Sequence, residues 1–404
     1  MMAAIAASNG SNKVTLIEKN EKLGKKLFLT GKGRCNLTNA CDVEELFNNV
    51  CRNPKFMYSA FYGFDNKTTM TFFENLGLNI KTERGNRVFP SSDHSSDVIK
   101  VLKNELERKK VNVLLNTTFV NFEIKDDKVM GVILKKSGDS KNINLSADRL
   151  ILATGGASYK STGSDAKLFK ILAKHNFEVI DLFPALVPLV CDNKYITELQ
   201  GIALKNVSVC VSSGGKEKYT GFGEMLFTHF GVSGPLILSA SSYLSEKDLK
   251  TGVIVTVDLK PALSEMELDN RIQNDFKEYN NKQINNIIPK LVPSKMTNAI
   301  LNFSKIPYEK KVNVITKEER LRLVHTLKNF TFEVSKVRDI NEAIITRGGV
   351  SVKEINPATM ESKKVSGLYF AGEMIDVDAL TGGFNLQIAW STGHLAGESA
   401  QKGE

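Results

Sequence analysis

Three short apolar runs far apart in the chain constrain its fold more than any other feature. KVTLIE (13–18) follows a small-residue opening, MMAAIAASN, that reads as helix over residues 1–9. ILATGG (151–156) and GLYFAGE (367–373) come much later. Each run is apolar on both faces, as expected of a parallel strand covered by helices on both sides. Each ends on an acid or on glycines. Strands of this kind belong in one sheet, so the chain must leave its first domain and return to it.

The first ~180 residues alternate short strands with helical stretches, and the texture changes from Pro184. Residues 42–78 read as helix, and SSDHSSDVIKVLKNELERKK reads as an amphipathic helix with N-cap oxygens offered over Asp93–Ser96. VNVLLNTTFVNFEIKDDKVMGVILKK reads as strands around a turn at Asp126–Asp127. From Pro184, PALVPLV, ALKNVSVCVSSGGKEKY and GVIVTVDLK read as β structure. Helix then follows, opened by a capping box from Ser264 to Glu267, with more helix around KEERLRLVHTLKN. Near Arg347 the first texture returns. The expected organisation is an α/β domain of residues 1–183 and 345–404. It is interrupted by an inserted domain, 184–344, that is β-rich over 184–260 and helical over 261–344.

Several of these residues suit a ligand. An acid closing the second strand of a Rossmann-type unit accepts hydrogen bonds from adenosine ribose hydroxyls, and Glu18 stands at that place. The usual G-x-G-x-x-G loop about 20 residues upstream is not in the chain, since only seventeen residues precede Glu18. Thr154-Gly155-Gly156 lets the backbone approach a ligand closely, or simply makes a tight turn after a core strand. The C-terminal stretch GLYFAGEMIDVDALTGGFNLQIAWSTGHLAG runs strand, Glu373, glycine turn, helix. Amides at such a helix start favour electron-rich oxygens. Small residues along that helix (Ala389, Ser391, Gly393, Ala396, Gly397) permit close packing.

GKKLFLTGKGRCNLTN (24–39), ILATGG, FTHFGVSGPLILSAS (227–241), ITRGGVSVKEI (345–355) and residues 359–397 together resemble the HI0933-like family of NAD(P)/FAD-dependent oxidoreductases, flavoproteins of the aminoacetone oxidase and BaiN type. The resemblance spans almost the whole chain in order. It implies an α/β fold: a glutathione-reductase-type FAD-binding, Rossmann-like domain interrupted by a β-barrel-like plus helical insert. It also implies a set of cofactor contacts. Glu18, with Lys19 beside it, would hold the adenosine ribose. Lys26 and the loop Gly31, Gly33, Arg34, Asn36 would lie along the cofactor, Arg34 offsetting pyrophosphate charge. Phe119 would meet the adenine edge through its backbone, and Thr154, Gly155 and Gly156 would line the cofactor. Gly372 and Glu373 would bind ribityl or phosphate-adjacent groups, and Asp376 and Asp378 would either support the flavin-side loop or simply cap the turn. Gly382, Gly383, Phe384 and Asn385 would face the flavin pyrimidine edge. Members of the family begin with a strand and a GGGPAG-like turn that this chain lacks. The expectation is that its first methionines belong inside a helix of a longer native protein.

Three residues are candidates for chemistry. Cys35 is a nucleophile if its basic neighbourhood lowers the thiol pKa, and otherwise a packing residue. His229 in FTHFGVSG is a proton-donor candidate or a structural histidine, and Tyr159 follows the ATGG turn. His394 and Trp390 read as packing residues.

Composition narrows the rest. Five cysteines (35, 41, 51, 191, 210) with no CxxC pair argue against a disulfide framework or a metal site and fit a cytoplasmic protein. No apolar run reaches the ~18–20 residues of a membrane span. The chain carries 54 Lys and Arg against 45 Asp and Glu, a net charge of +9. The lysines are scattered, so nucleic acid is not expected as a partner and a small-molecule substrate is. The expected activity is passage of a hydride from NAD(P)H through FAD to an organic acceptor, for example an enone such as a 3-dehydro-Δ4,6 bile-acid intermediate. The alternatives are a flavin-linked RNA- or nucleotide-modifying protein and a truncated, non-catalytic binding module.

Overall fold

The computed structural model describes residues 1–8 and 11–402. The chain divides into two compact units, Met1–Pro184 with Ile340–Glu404, and Ala185–Asp339.

The first unit brings the apolar runs together as two parallel pairs. Strand Thr15–Ile17 pairs with Asn112–Leu114, Leu16 opposite Val113. Strand Leu368–Phe370 pairs with Leu150–Leu152, Tyr369 opposite Ile151. Among the described residues these remain separate two-stranded sheets. The opening helix is Met2–Ala7, and Asn9, read as part of it, lies outside the described residues.

That helix packs against the long C-terminal helix, Phe384–Lys402. Two glycines permit the approach. A Cβ on Gly397 would lie 2.5 Å from the Ala3 carbonyl oxygen and 2.6 Å from the Ala6 Cβ. The small-residue stripe is therefore a packing surface. Trp390 is buried, and its Nε1 donates to the Leu37 carbonyl at 2.9 Å.

The expected turn at Asp126–Asp127 joins strands Thr117–Lys125 and Lys128–Lys136, and both aspartates have positive φ (51° and 55°). The helix at Ser95–Arg108 also forms, but no side chain caps it. Asp93, an expected cap, bonds Arg34 and Lys81 instead.

The second unit holds a seven-stranded antiparallel sheet in the order Phe330–Val334, Val253–Asp258, Ala203–Ser213, Lys216–Thr228, Gly231–Ser233, Leu189–Val190, Lys336–Val337. The first and last strands in that order are consecutive in sequence, separated by Ser335 alone. The sheet must therefore curl until its two edges are joined by one stretch of chain, which is the geometry of a barrel. Alternate residues (Val207, Val209, Val211; Val253, Val255, Val257) point inward and are buried. Helices Glu265–Glu278 and Lys317–Lys328 follow the β-rich part. The first is opened by the capping box, with Ser264 N–H donating to Glu267 Oε2 at 2.8 Å and Glu267 N–H to Ser264 Oγ at 3.2 Å.

Candidate functional site

Four distant segments meet around Glu373, just after strand Leu368–Phe370. Glu373 Oε1 accepts from the Thr346 backbone N–H at 2.9 Å and from Ser158 Oγ at 3.2 Å. Lys26 Nζ forms a close ion pair with Glu373 Oε2 and donates to Ser158 Oγ at 3.0 Å. The Thr346 hydroxyl accepts from the backbone N–H groups of Ala157 (2.7 Å) and Ser158 (3.0 Å). The Gly155–Tyr159 turn is thus pinned from below by strand Ile345–Val350 and from the side by Glu373. Glycine is required at 156, where a Cβ would lie 2.4 Å from Thr346 Oγ1 and 2.5 Å from its Cβ. Gly155, at φ +75°, would put a Cβ 2.7 Å from Ser164 Oγ. Thr154 is exposed at the mouth of this turn. Gly372 N–H donates to Thr392 Oγ1 at 2.9 Å, which ties the Glu373 turn to the C-terminal helix.

The start of that helix forms a second part of the site. Gly382 and Gly383 have φ of 131° and 102°, and a Cβ on Gly383 would meet the Thr38 carbonyl at 2.4 Å. Asn385 turns back: its Oδ1 accepts from Ala379 N–H at 2.9 Å and its Nδ2 donates to the Ala379 carbonyl at 2.7 Å. Its side chain holds the turn, and Phe384 is buried beside it. Gln387 is fully buried: its Oε1 accepts from Thr38 Oγ1 at 2.6 Å, and its Nε2 donates to the Phe64 carbonyl at 3.0 Å.

At the other end, Glu18 Oε1 accepts from the backbone and side-chain nitrogens of Asn20 at 2.8 and 2.7 Å. Lys19 pairs with Asp165 at 3.0 Å. Phe119 sits in strand Thr117–Lys125 beside an irregularity in the pairing, its ring 6.1 Å from Phe122.

The Gly31–Asn36 loop folds through positive φ at Gly31, Lys32, Gly33 and Cys35. Arg34 within it is held by two acids. Its guanidinium pairs with Glu83 and Asp93 and lies 4.1 Å from the Phe89 ring centroid, and these carboxylates push its pKa further up. Asn36 Oδ1 is buried with no hydrogen-bond partner. Burial pushes the Cys35 thiol up to about 12, the opposite of the shift a nucleophile needs.

Two acids follow Glu373. Asp376 lies 3.3 Å from the Arg52 guanidinium, and its backbone carbonyl accepts from Asn53 Nδ2 at 2.6 Å. Asp378 is 1 % exposed, and neither carboxylate oxygen has a hydrogen-bond partner. Burial pushes its pKa up to about 7 against the pull of Arg347 and Arg52.

Tyr159 has φ 54° and leads into the turn Lys160–Thr162 in the first unit. His229 belongs to the second unit, exposed in the two-residue turn between paired Thr228 and Gly231, its ring against Phe230 at 4.9 Å. Of the sequence candidates, Lys26, Gly155, Gly156 and Glu373 come together. Ser158, Thr346, Thr38 and Gln387 join the site without having been singled out. Thr346 lay inside the quoted ITRGGV run, but nothing local marks its hydroxyl as an acceptor for amides 188 residues away.

Parallel strands ending on Glu18, Gly155–Gly156 and Glu373, with a glycine turn feeding a long helix, define a Rossmann-type α/β protein interrupted by a barrel-and-helix unit. The chain belongs to the family of the HI0933-like protein Rossmann domain, which matches residues 1–399. It is 30 % identical over 407 residues to the 3-dehydro-bile acid delta(4,6)-reductase of Clostridium scindens, covering 99 % of this chain and 96 % of that protein. It is 27 % identical over 396 residues to the ribosomal RNA dihydrouridine synthase of Escherichia coli, covering 97 % and 93 %. Among solved structures, the 3-ketosteroid-delta4-(5alpha)-dehydrogenase of Rhodococcus jostii superposes with a TM-score of 0.53 at 14 % identity, over 100 % of this chain and 94 % of that one. That likeness is one of fold. The chain is a member of an oxidoreductase flavoprotein family. The relative named for ribosomal RNA leaves the expectation against nucleic acid without support. Among the described residues, no helix is long and apolar enough to cross a membrane, and no cluster of three or more His, Cys, Asp or Glu is arranged to hold a metal.

Proposed function

We propose that the protein is an FAD-dependent reductase of a carbon–carbon double bond conjugated to a carbonyl, with NAD(P)H as electron donor, working in the cytoplasm. The observation that carries the reading is the Lys26–Glu373–Ser158–Thr346 network, in a chain that is 30 % identical end to end to a 3-dehydro-bile acid delta(4,6)-reductase.

The residues present fit the cofactor. Asn36 Oδ1 is a buried acceptor that lacks a donor, and a flavin offers one ring N–H and the hydroxyls of its ribityl chain as donors. The turns at Gly155–Gly156 and Gly382–Gly383 pack tightly on Ser164, Thr346, Phe384 and Thr38, which fixes the backbone that would face it. FAD, when bound, accepts a hydride and delivers it to the acceptor.

The remaining roles fall to the chain. Glu18 accepts ribose hydroxyls, with Lys19 beside it and Phe119 at the adenine edge. Lys26 holds the Glu373 carboxylate in one orientation towards the cofactor's hydroxyls. The amides at the start of helix Phe384–Lys402 favour negative charge at the ring edge. Arg34, held by Glu83 and Asp93, shapes the Gly31–Asn36 loop. Tyr159 and His229 remain candidates for proton delivery to the acceptor.

The acceptor has two readings. A small enone is the first. A uracil base in RNA is the second, favoured by 27 % identity to a ribosomal RNA dihydrouridine synthase and by the net charge of +9. Both acceptors present a double bond conjugated to a carbonyl.

The test is the visible spectrum of the purified protein after equilibration with FAD, then anaerobic addition of NADPH or NADH. Flavin bands that bleach with NAD(P)H and return on addition of a dienone steroid or a uridine-containing RNA support the reading. A protein that retains no flavin would refute it and favour the non-catalytic module.

A further inference from the structure

Four of the lysines that look scattered in the sequence converge in one place. A cavity of about 350 Å³ lies between the segment Lys22–Phe28 and the helix Ser95–Arg108. Lys100, Lys103, Asn104 and Glu107 line it from one face of the helix, at the i, i+3, i+4, i+7 spacing that keeps residues on one side. Lys22, Lys25 and Phe28 line it from the opposite segment. Gly24 permits this approach: at φ +79°, a Cβ there would lie 2.9 Å from Ile99. Leu23 and Ile99 are buried and form an apolar floor. Ser95 Oγ donates to the Phe28 carbonyl at 2.8 Å and fixes that residue's backbone, yet Phe28 as a whole is 51 % exposed.

The charge in the cavity is one-sided. Lys25 is paired with Glu21 at 2.6 Å. Lys22, Lys100 and Lys103 take part in no ion pair among the described residues, and Glu107 is the lone acid of the lining. The lining runs along the helix from Ser96 to Glu107, about 16 Å at the rise of an α-helix. That length suits an extended polyanion better than a single phosphate. An exposed aromatic ring beside uncompensated cations is the arrangement that stacks a base while neutralising its neighbouring phosphates.

We propose that this cavity is a docking groove for single-stranded RNA, with phosphates on Lys22, Lys100 and Lys103 and a base on Phe28. The identity of the ligand rests on the RNA reading above. The groove lies outside the Glu373 network.

The test is fluorescence anisotropy of the full protein with a fluorescein-labelled oligouridine 12-mer across a salt series. The triple variant Lys22→Gln, Lys100→Gln, Lys103→Gln is expected to flatten the slope of log Kobs against log[salt] by about 2, because three phosphates of the single strand are no longer neutralised. Phe28→Ala is expected to weaken binding roughly tenfold and leave the slope unchanged. A triple variant with the wild-type slope overturns the proposal. So does a protein that binds UMP or phosphatidylglycerol vesicles through these lysines but not the 12-mer. Dihydrouridine formed in a ribosomal RNA transcript is scored in parallel. Equal formation by wild type and triple variant would refute the groove and leave the RNA reading standing. Slope loss without dihydrouridine from either protein would keep the groove and refute the RNA acceptor.

Discussion

Replacing Gly156 with alanine should destabilise the first unit sharply. The new Cβ would sit 2.4 Å from Thr346 Oγ1 and 2.5 Å from Thr346 Cβ, against an ordinary contact of 3.4 Å or more. Thr346 is 2 % exposed and has no room to retreat. Overpacking of this kind costs about 1–3 kcal/mol. A displaced Thr346 also releases its two amide donors, Ala157 and Ser158, at about 1 kcal/mol each. The expected loss is about 3–5 kcal/mol, or a fall in Tm of roughly 6–20 °C for a unit of this size. The assay is a thermal melt with flavin retention measured alongside. Gly63→Ala is the control. No atom lies within 4 Å of its Cβ, its φ is not in the left-handed region, and it should be neutral or slightly stabilising. A Gly156→Ala protein that melts with the Gly63→Ala control would refute the packing argument and the turn geometry on which the cofactor cradle rests.

Other consequences are open to measurement. Lys26→Met and Glu373→Gln should be non-additive in urea unfolding, with a coupling of about 0.5–3 kcal/mol, because they share Ser158; strict additivity would dissolve the network. Native protein treated with a thiol reagent near pH 8 should label only at the half-exposed Cys51 and Cys210, with Cys35 reacting after denaturation; rapid native labelling of Cys35 would contradict its burial. Asp378 binds its proton more tightly folded than unfolded, so its contribution to stability is largest below the unfolded pKa of 3.8 and declines as pH rises to about 7. That decline is on the order of 4 kcal/mol. Asp378→Asn should therefore gain stability relative to wild type between pH 5 and pH 8, and a constant difference across that range would count against the buried acid.

What could be read in the sequence was whatever leaves a local pattern. Strand Leu368–Phe370 and Glu373 are legible because an apolar run and its closing acid are contiguous. The Ser264–Glu267 box and the Asp126–Asp127 turn are legible because their hydrogen bonds and dihedrals span a few residues. Asn385 stands where the motif puts it, but its amide serves the turn at Ala379, which spacing alone does not reveal. The partners of Arg34 were hidden, since Glu83 and Asp93 reach it only through tertiary packing. Gln387, bonded to Thr38 and Phe64, looks in sequence like any polar residue on a helix. The grouping of Lys22 with Lys100 and Lys103 was hidden for the same reason: charge has no periodicity that links separate helices and strands.

The discontinuity of the first unit also sets a timetable for the growing polypeptide. Strand Leu150–Leu152 leaves the ribosome without a partner, and Leu368–Phe370, which pairs with it, is synthesised roughly 200 residues later. At about 5–20 residues per second that delay is on the order of 10–40 s. The helix Met2–Ala7 waits longer still for Gly393 and Gly397 to arrive. Meanwhile the barrel-and-helix unit emerges complete and can close as soon as Val337 is free. The inserted unit is thus made second and finished first. Throughout that interval the nascent first unit displays unpaired apolar strand edge, the surface on which chaperones act.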